Sequence, residues 1–306
     1  MPGGSGLPTG TTRQLTQTPE SEYNARWTES GKIVFLKVVD GEAQMFEMAA
    51  EGGETRQLTA IPEGINDFEL GKDDAVIFGK TVKMDATVNE LYEDLPDAEA
   101  RIIDDLMYRH WNQWDDYSYN HVFVMDYPKD GMVKDGYRDL MKGERVDSPV
   151  PPFGGSEQYT YTADGTGIVY AAKKTKDKVE WAKSTNTDLY HVNLADGKTT
   201  NLTSGMMGYD MEATYSPDGK YMAWLSMERD GYESDRNRIF IKEVKSGKQY
   251  EITQGFPHPA SHIAWSADGK SVYFTAPIKG TIQIFKTEIS SQVPRKVTQV
   301  TTGQHK

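Results

Sequence analysis

The sequence of 306 residues contains no cysteine, which excludes both a disulfide framework and a metal site built on thiolates. It also has no stretch approaching the about 18 apolar residues that a membrane-spanning helix needs. Basic residues are in the minority, with 34 Lys and Arg against 46 Asp and Glu. The resulting net charge of −12 argues against nucleic acid or an anionic membrane as a partner.

Motifs for catalysis and metal binding are missing as well. The sequence has no Gly-x-Ser-x-Gly nucleophile elbow, and no alternation of strands and helices predicts a hydrolase sheet. Of the six histidines, His258 and His262 are four residues apart, but the neighbouring prolines would break a helix there. We therefore expect no catalytic residue, no metal and no cofactor in this chain.

The sequence repeats a short phrase in which an aromatic residue is followed by a tight polar turn and a new alternating run. The copies begin at Trp27, Tyr161, Tyr215 and Trp265, and a weaker copy covers residues 68–74. A second phrase, which ends in an aliphatic residue and threonine, keeps step with the first and occupies residues 13–16, 56–59, 200–203, 250–253 and 295–298. Internal repetition at this spacing predicts a repeat architecture.

The runs between the phrases alternate in polarity and are rich in β-branched and aromatic residues, which predicts β-strands. Asp-Gly pairs supply the positive φ angles that tight turns require, and they occur at residues 40–41, 164–165, 196–197, 218–219 and 268–269. Four strands in a unit of roughly 45–50 residues predict an all-β fold, a β-propeller of four-stranded blades. A sandwich of two sheets is the alternative.

The repeats place the propeller at residues 11–300, after a flexible lead-in at 1–10 without the features of a signal peptide and before a tail at 301–306. About five blades are expected, preceded by an orphan strand at 11–16. Either this strand completes the last blade of a small ring, or the chain is a segment of a larger ring. We favour the segment because the last blade has its own fourth strand. The expected blades cover residues 20–60, 63–148, 155–204, 209–254 and 260–299.

The second blade is interrupted by an insertion that follows Lys80. Within it, apolar residues recur at helical spacing over residues 99–111, and acidic residues occupy the first turn, which predicts a helix capped by Asp97. Trp111 ends this run and Trp114 follows it. Either these aromatic side chains pack on the edge of the ring, or they line an entrance or an interface with a second domain.

The densest run of charge in the chain occupies residues 226–237, within the fourth blade. Its acidic residues include Glu228, Glu233 and Asp235, and Tyr232 interrupts them. Such a run is either a solvated loop or a site where carboxylates hold a cationic group, such as the free amine of a peptide. Tyr232, like the two tryptophans of the insertion, is expected at an entrance or an interface.

Four longer runs, at residues 101–111, 151–158, 205–210 and 226–235, occur together in a known family. They resemble the propeller of bacterial dipeptidyl aminopeptidases of the prolyl oligopeptidase family, in particular the dipeptidyl peptidase 5-like group of Bacteroides-type bacteria. The resemblance implies a propeller that caps an α/β-hydrolase domain, absent from this chain, which carries the Ser-Asp-His triad. It also implies a periplasmic or secreted protein and a homodimer of the full-length enzyme.

By the same resemblance, the propeller restricts entry to small or unfolded peptides and presents acidic residues to the amino terminus of the substrate. Glu233 is the first choice for that contact, Asp235 the second and Glu228 the third. The partners implied are a peptide substrate and the hydrolase domain of the same polypeptide.

Three functions are compatible with the sequence. The first is the substrate-gating and amino-terminus-binding propeller of a serine dipeptidyl aminopeptidase, inactive without its hydrolase domain. The second is a stand-alone TolB-like propeller that serves as a protein–protein binding module. The third is an enzyme whose own funnel carries paired carboxylates or a metal.

Overall fold

The computed structural model of the protein describes residues 13–104, 106–114, 117–289 and 296–304. Within these ranges, 22 strands form five four-stranded antiparallel sheets and one two-stranded hairpin. Four of the five sheets join strands that are consecutive in the chain, and the hairpin lies inside the insertion of the second sheet. The prediction of an all-β propeller of four-stranded blades is confirmed.

The elements have the following bounds. The first blade contains β1 (Glu22–Trp27), β2 (Lys32–Val39), β3 (Glu42–Ala49) and β4 (Thr55–Gln57). The second contains β5 (Asp67–Leu70), β6 (Val76–Lys83), β9 (Ser118–Met125) and β10 (Arg138–Asp139), and its insertion contains α1 (Val88–Leu91), β7 (Arg109–His110) and β8 (Gln113–Trp114). The third contains β11 (Tyr159–Tyr161), β12 (Gly167–Ala172), α2 (Lys178–Lys183), β13 (Asp188–Asn193) and β14 (Thr199–Asn201). The fourth contains β15 (Asp210–Tyr215), β16 (Tyr221–Ser226), β17 (Arg238–Glu243) and β18 (Gln249–Glu251). The fifth contains β19 (Ser261–Trp265), β20 (Ser271–Ile278), β21 (Thr281–Glu288) and β22 (Val297–Gln299).

The chain forms two compact units, and the first blade lies in the smaller one, together with residues 127–136. The apolar cluster of this unit is built by Leu15, Phe35, Phe46 and Met48. Val133 donates from its N–H to Leu58 O at 2.9 Å and accepts from Ala60 N at 2.8 Å. Residues 127–136 therefore belong with the first blade, although they follow β9 in the chain.

The larger unit holds the other four blades, which pack against each other in chain order. Between the fourth and fifth blades, a continuous apolar cluster includes Leu225 and Ile239 on one side and Val272 and Phe274 on the other, all at most 1% exposed. Further clusters join the second to the third blade and the third to the fourth, so the neighbouring blades of this unit cover each other's apolar faces, as stacked repeats require for stability.

The first repeated phrase forms the turn between the first two strands of a blade. In the fourth blade, the Ser216 hydroxyl donates to Asp218 at 2.8 Å and accepts from Tyr221 N at 3.0 Å, while Gly219 has a φ of +69°. The same bonds recur at the corresponding turns of the third and fifth blades. In these three blades the phrase repeats because the turn uses a hydroxyl, a carboxylate and a glycine that tolerates the left-handed conformation, whereas in the first blade Ser30 takes the place of the carboxylate.

The second repeated phrase places a buried threonine after the outer strand. Thr59, Thr203 and Thr253 are at most 2% exposed. Each hydroxyl accepts a hydrogen bond from a strand N–H, at 2.8, 3.0 and 2.9 Å respectively. In the fifth blade, Thr301 has this role and accepts from Ile284 N at 2.8 Å, three residues beyond the end of the phrase in the sequence.

The expected helix at residues 99–111 is not found in the described part of that segment, so this expectation is wrong. The insertion instead contains the one-turn helix α1 and the hairpin of β7 and β8. Ile102, Ile103 and Leu106 are between 45% and 48% exposed. Because a helix gains most of its stability from burying its apolar stripe, a stripe without a surface to cover does not hold one together.

The orphan strand expected at residues 11–16 is also wrong for its described part, since residues 13–16 form no strand. Residues 11 and 12, like the lead-in at 1–10, lie outside the described residues. Leu15 contributes an apolar side chain to the first blade without strand pairing. No helix among the described residues combines the length and the apolar composition that crossing a membrane requires.

Candidate functional site

The charged loop at residues 227–237 joins β16 to β17, and Asp230 fixes it to the third blade. The Asp230 carboxylate accepts from Ser184 Oγ at 2.8 Å and from Thr185 N at 2.6 Å. Gly231, with a φ of +79°, donates from its N–H to Thr185 Oγ1 at 2.8 Å. Burial opposes ionisation of Asp230, but these hydrogen bonds prevail and lower its pKa below the usual value. The loop is thus held on the third blade, and the Asp-Gly pair at 230–231 was the signal that could have identified this anchor.

Asp235 closes the same loop on itself. Arg229 donates to its carboxylate from the backbone N–H at 3.0 Å, from Nε at 3.1 Å and from Nη2. The hydrogen bonds from Arg229 lower the pKa of Asp235, and its side chain is only 9% exposed. The guanidinium of Arg229 also lies 4.0 Å from the ring centre of Tyr232, which is 52% exposed. Asp235 therefore already binds a cation of its own loop.

Glu228 lies at the start of the loop and is 72% exposed at its side chain. Its nearest described cation is Arg238 on β17, with Nη1 3.8 Å from the carboxylate. This is an exposed ion pair, which contributes little to stability.

Glu233 lies in the same loop and is exposed. Among the described residues, its carboxylate has neither a hydrogen bond nor an ion pair within 4.0 Å. Its negative charge nevertheless affects the pKa values of two other residues. Burial raises the pKa of Tyr209, and Glu233 raises it further. Burial lowers the pKa of Lys173, and Asp230 and Glu233 partly offset that effect.

The structure therefore brings the three carboxylates named from the sequence into one loop but not into one paired site. Asp235 binds Arg229, Glu228 faces Arg238, and the charge of Glu233 raises the pKa of Lys173 and Tyr209. Of the three, Glu233 has the carboxylate that is open to an external cation.

The two tryptophans of the insertion lie on the hairpin of β7 and β8. Trp111 is 65% exposed, with its ring centre 5.6 Å from that of Phe153, and Trp114 is 45% exposed, with Arg101 over its ring at 4.8 Å. Tyr232 contacts Arg229 on the charged loop, not these tryptophans.

A second acidic region lies where the first strands of the second to fifth blades converge. They enclose a cleft of about 470 Å³, and its lining includes Glu69, Glu157, Glu212 and His262. Glu212 and His262 occupy bulges in β15 and β19, with φ angles of 53° and 55°. Burial raises the pKa of Glu212, and the interaction with His262 partly offsets this increase. Sequence reasoning missed this cleft because its residues come together only when the blades stack.

None of the described residues forms a group of three or more His, Cys, Asp or Glu side chains that could hold a metal ion. The predicted absence of a metal site remains a prediction.

Comparison with known proteins gives clear relatives, although no family model matches the chain. It is 39% identical over 295 residues to the dipeptidyl-peptidase 5 of Porphyromonas gingivalis, an alignment that covers 96% of this chain and 42% of that protein. It is 37% identical over 289 residues to the dipeptidyl-peptidase 5 of Porphyromonas endodontalis, covering 94% of this chain and 41% of that protein. The chain thus spans less than half the length of these relatives.

Among solved structures, the uncomplexed acylaminoacyl peptidase of Pyrococcus horikoshii has the same fold over 92% of this chain and 39% of that one, with a TM-score of 0.63 and 15% identity. Repeat pattern, blade structure and alignment over almost the whole chain agree. The chain is therefore a β-propeller that is similar, over almost its whole length, to bacterial dipeptidyl-peptidases 5.

Proposed function

We propose that the chain is the substrate-gating and amino-terminus-binding propeller of a serine dipeptidyl aminopeptidase. Peptide hydrolysis takes place in an α/β-hydrolase domain of the same polypeptide. The proposal is supported by the alignment with two dipeptidyl-peptidases 5 over almost the whole chain but less than half of theirs. That remainder provides room for a second domain.

The observation that carries the amino-terminus assignment is the geometry of the charged loop. Asp230 anchors the loop to the third blade three residues before Glu233. Its carboxylate has no hydrogen-bond partner among the described residues, and a free peptide amine offers three donors to such a group. For Asp235 and Glu228, the second and third choices by the resemblance, an amine would have to displace Arg229 or compete with Arg238.

The first test is to read the gene beyond the codon for Lys306. An α/β-hydrolase with a Gly-x-Ser-x-Gly motif in the same reading frame is expected. A stop codon directly after Lys306 would contradict the proposal and leave a stand-alone binding propeller.

The second test is Glu233→Gln in the full-length enzyme, assayed on dipeptidyl 4-nitroanilides. A hydrogen bond between charged groups contributes about 1.5–3 kcal/mol, so kcat/KM for a substrate with a free amine should fall about 10- to 100-fold. Glu228→Gln, in the same loop, is the matched control and should have a smaller effect. Equal kinetics of wild type and Glu233→Gln would reject the role of Glu233.

We further propose a periplasmic or secreted location and a homodimer of the full-length enzyme, which the resemblance to dipeptidyl aminopeptidases implies. Cell fractionation and sedimentation of the full-length protein test these two points. Activity confined to the cytoplasm, or a monomeric mass, would contradict them.

A further inference from the structure

A pocket distinct from the charged loop lies beneath the insertion of the second blade. It has a volume of about 500 Å³, and three of its walls are the indole rings of Trp111, Trp114 and Trp181. The first two belong to the hairpin of β7 and β8, and the third belongs to α2 in the third blade. Pro151 and Pro152 line a further side. We call this the tryptophan pocket.

Cations of the chain already lie near two of these rings. The Arg101 guanidinium is 4.8 Å from the ring centre of Trp114, and Lys173 Nζ and Lys178 Nζ are 4.2 and 5.9 Å from that of Trp181. The pocket lining itself contains no lysine or arginine among the described residues. A cationic ligand would therefore be repelled by charges that already occupy these rings, which weakens any cation–π attraction.

The floor of the pocket disfavours an anion and offers a donor. Asp147 lines the pocket, and its carboxylate accepts from Asn120 N at 2.8 Å. The side-chain oxygen of Asn120 accepts from Asn66 Nδ2 at 3.0 Å and from Thr81 Oγ1 at 3.3 Å. These bonds orient the amide, and Asn120 Nδ2 donates to no described residue. The floor thus presents an N–H donor of the kind that a peptide carbonyl accepts.

The pocket is bordered by exposed aromatic surface. Trp111 in its lining is 65% exposed, and Phe153, whose ring centre is 5.6 Å from that of Trp111, is 81% exposed. A neighbouring cleft of about 480 Å³ shares Trp114 and Tyr119 with the pocket, and its lining includes the exposed Ile102. The two spaces are adjacent, an arrangement that suits an extended chain better than an isolated small molecule. Exposed apolar surface of this kind typically marks a site of interaction.

We propose that the tryptophan pocket binds an uncharged, ring-bearing side chain, aromatic or proline, of a peptide whose carbonyl accepts a hydrogen bond from Asn120 Nδ2. The assignment rests on the proposed function in that the ligand is a peptide. It uses different residues from the amine contact, because Glu233 lies on another loop and is not part of the pocket lining.

The test is an NMR titration of the ¹⁵N-labelled chain with N-acetylated amino acid amides, which lack the free amine that Glu233 would bind. The chain has six tryptophans, so six indole N–H signals report on it, and single substitutions assign them. The phenylalanine and proline amides should shift the signals of Trp111, Trp114 and Trp181 saturably. The lysine and aspartate amides should bind more weakly, and Trp27, Trp224 and Trp265 should not respond.

Trp111→Ala is the variant for this test and Trp27→Ala is its control, since both side chains are 65% exposed in the wild type. Removing one aromatic wall should weaken binding of the phenylalanine amide at least about fivefold, whereas Trp27→Ala should leave it unchanged. Tighter binding of the lysine amide would overturn the proposal in favour of a cation site. Shifts at Trp27 as large as those at Trp111, or no saturable shift, would reduce the pocket to non-specific surface. Glu233→Gln should leave these affinities unchanged, so either proposal can fail without the other.

Discussion

The sheets of the blades and the loops between their second and third strands follow different rules. In the sheets, the same polar groups return at the same places, as with the turn at Ser216 and the buried Thr203. The first and fifth blades have two-residue turns at this position, whereas the second, third and fourth blades have loops of three different lengths, at residues 84–117, 173–187 and 227–237. The repeated residues are therefore those that the blades need to fold. The charged loop and the hairpin of the tryptophan pocket lie instead in segments that differ between blades.

Two tryptophans make the comparison concrete. Trp224 is fully buried on β16, and its Nε1 donates to Asp210 Oδ1 at 3.1 Å. Trp111, on the insertion, is 65% exposed. The first should matter for stability and the second for binding.

The largest effect is expected for Trp224→Ala. Removing a large buried aromatic side chain leaves a cavity and should lower the free energy of unfolding by about 3–5 kcal/mol. Trp111→Ala should change it by less than about 0.5 kcal/mol, as exposed substitutions usually do. Urea denaturation followed by far-UV circular dichroism measures both. Comparable losses of unfolding free energy in the two variants would contradict the proposed difference between residues of the sheets and residues of the loops.

The next largest effect is expected for Asp210, which should make the stability of the protein depend on pH. Burial raises the pKa of Asp210 from its ordinary 3.8 to about 7, against hydrogen bonds that favour its ionised form. The folded state thus binds this proton more tightly than the unfolded state, so its contribution is present below about pH 4 and lost as the pH rises to about 7. Asp210→Asn should remove this decline. Thermal melting of wild type and variant between pH 4 and 8 measures the difference.

Asp218, in the exposed turn of the same blade, is the control with the opposite sign. A hydrogen bond from Lys220 is the main reason that its pKa is lowered to about 2. Its small contribution should therefore be present at neutral pH and lost on acidification below about pH 4. If Asp210→Asn and wild type had parallel melting profiles across pH 4 to 8, Asp210 would not titrate as stated.

A smaller effect is expected for Thr203→Val, which keeps the shape of the side chain and removes its hydroxyl. Leu189 N would lose its acceptor at 3.0 Å in a buried position. Leaving a buried donor unsatisfied costs about 1–3 kcal/mol. Hydrogen exchange of the Leu189 amide and urea denaturation measure the loss. Thr200→Val, on the exposed side of β14, is the control and should be nearly neutral. Equal stability of the two variants would show that the repeated threonine is not a structural requirement.

The same contrast explains what could be predicted from the sequence. The five blades could be predicted from the sequence because the same residue types recur in successive repeats. Examples are the turn from Ser216 to Gly219 and the buried Thr203 that follows the outer strand. The prediction of a helix at 99–111 was wrong because its apolar side chains have no surface among the described residues to pack against. The sequence alone does not show whether such a surface exists.

The candidate site was only partly accessible for a related reason. The charged loop could be identified from its run of charged residues. The different roles of Glu233 and Asp235 could not, because they depend on Arg229 folding back to bind Asp235. The anchor formed by Asp230, the cleft containing Glu212 and the tryptophan pocket all depend on side chains from neighbouring blades. Such contacts arise from stacking and have no local pattern.

The most direct measurement compares hydrolysis of a dipeptidyl 4-nitroanilide by the purified 306-residue chain and by the polypeptide of its complete reading frame. A propeller that admits and orients peptides while another domain cleaves them predicts turnover by the longer protein and none by the shorter one. Turnover by the 306-residue chain alone, or no peptidase activity in the longer protein, would contradict that division of labour.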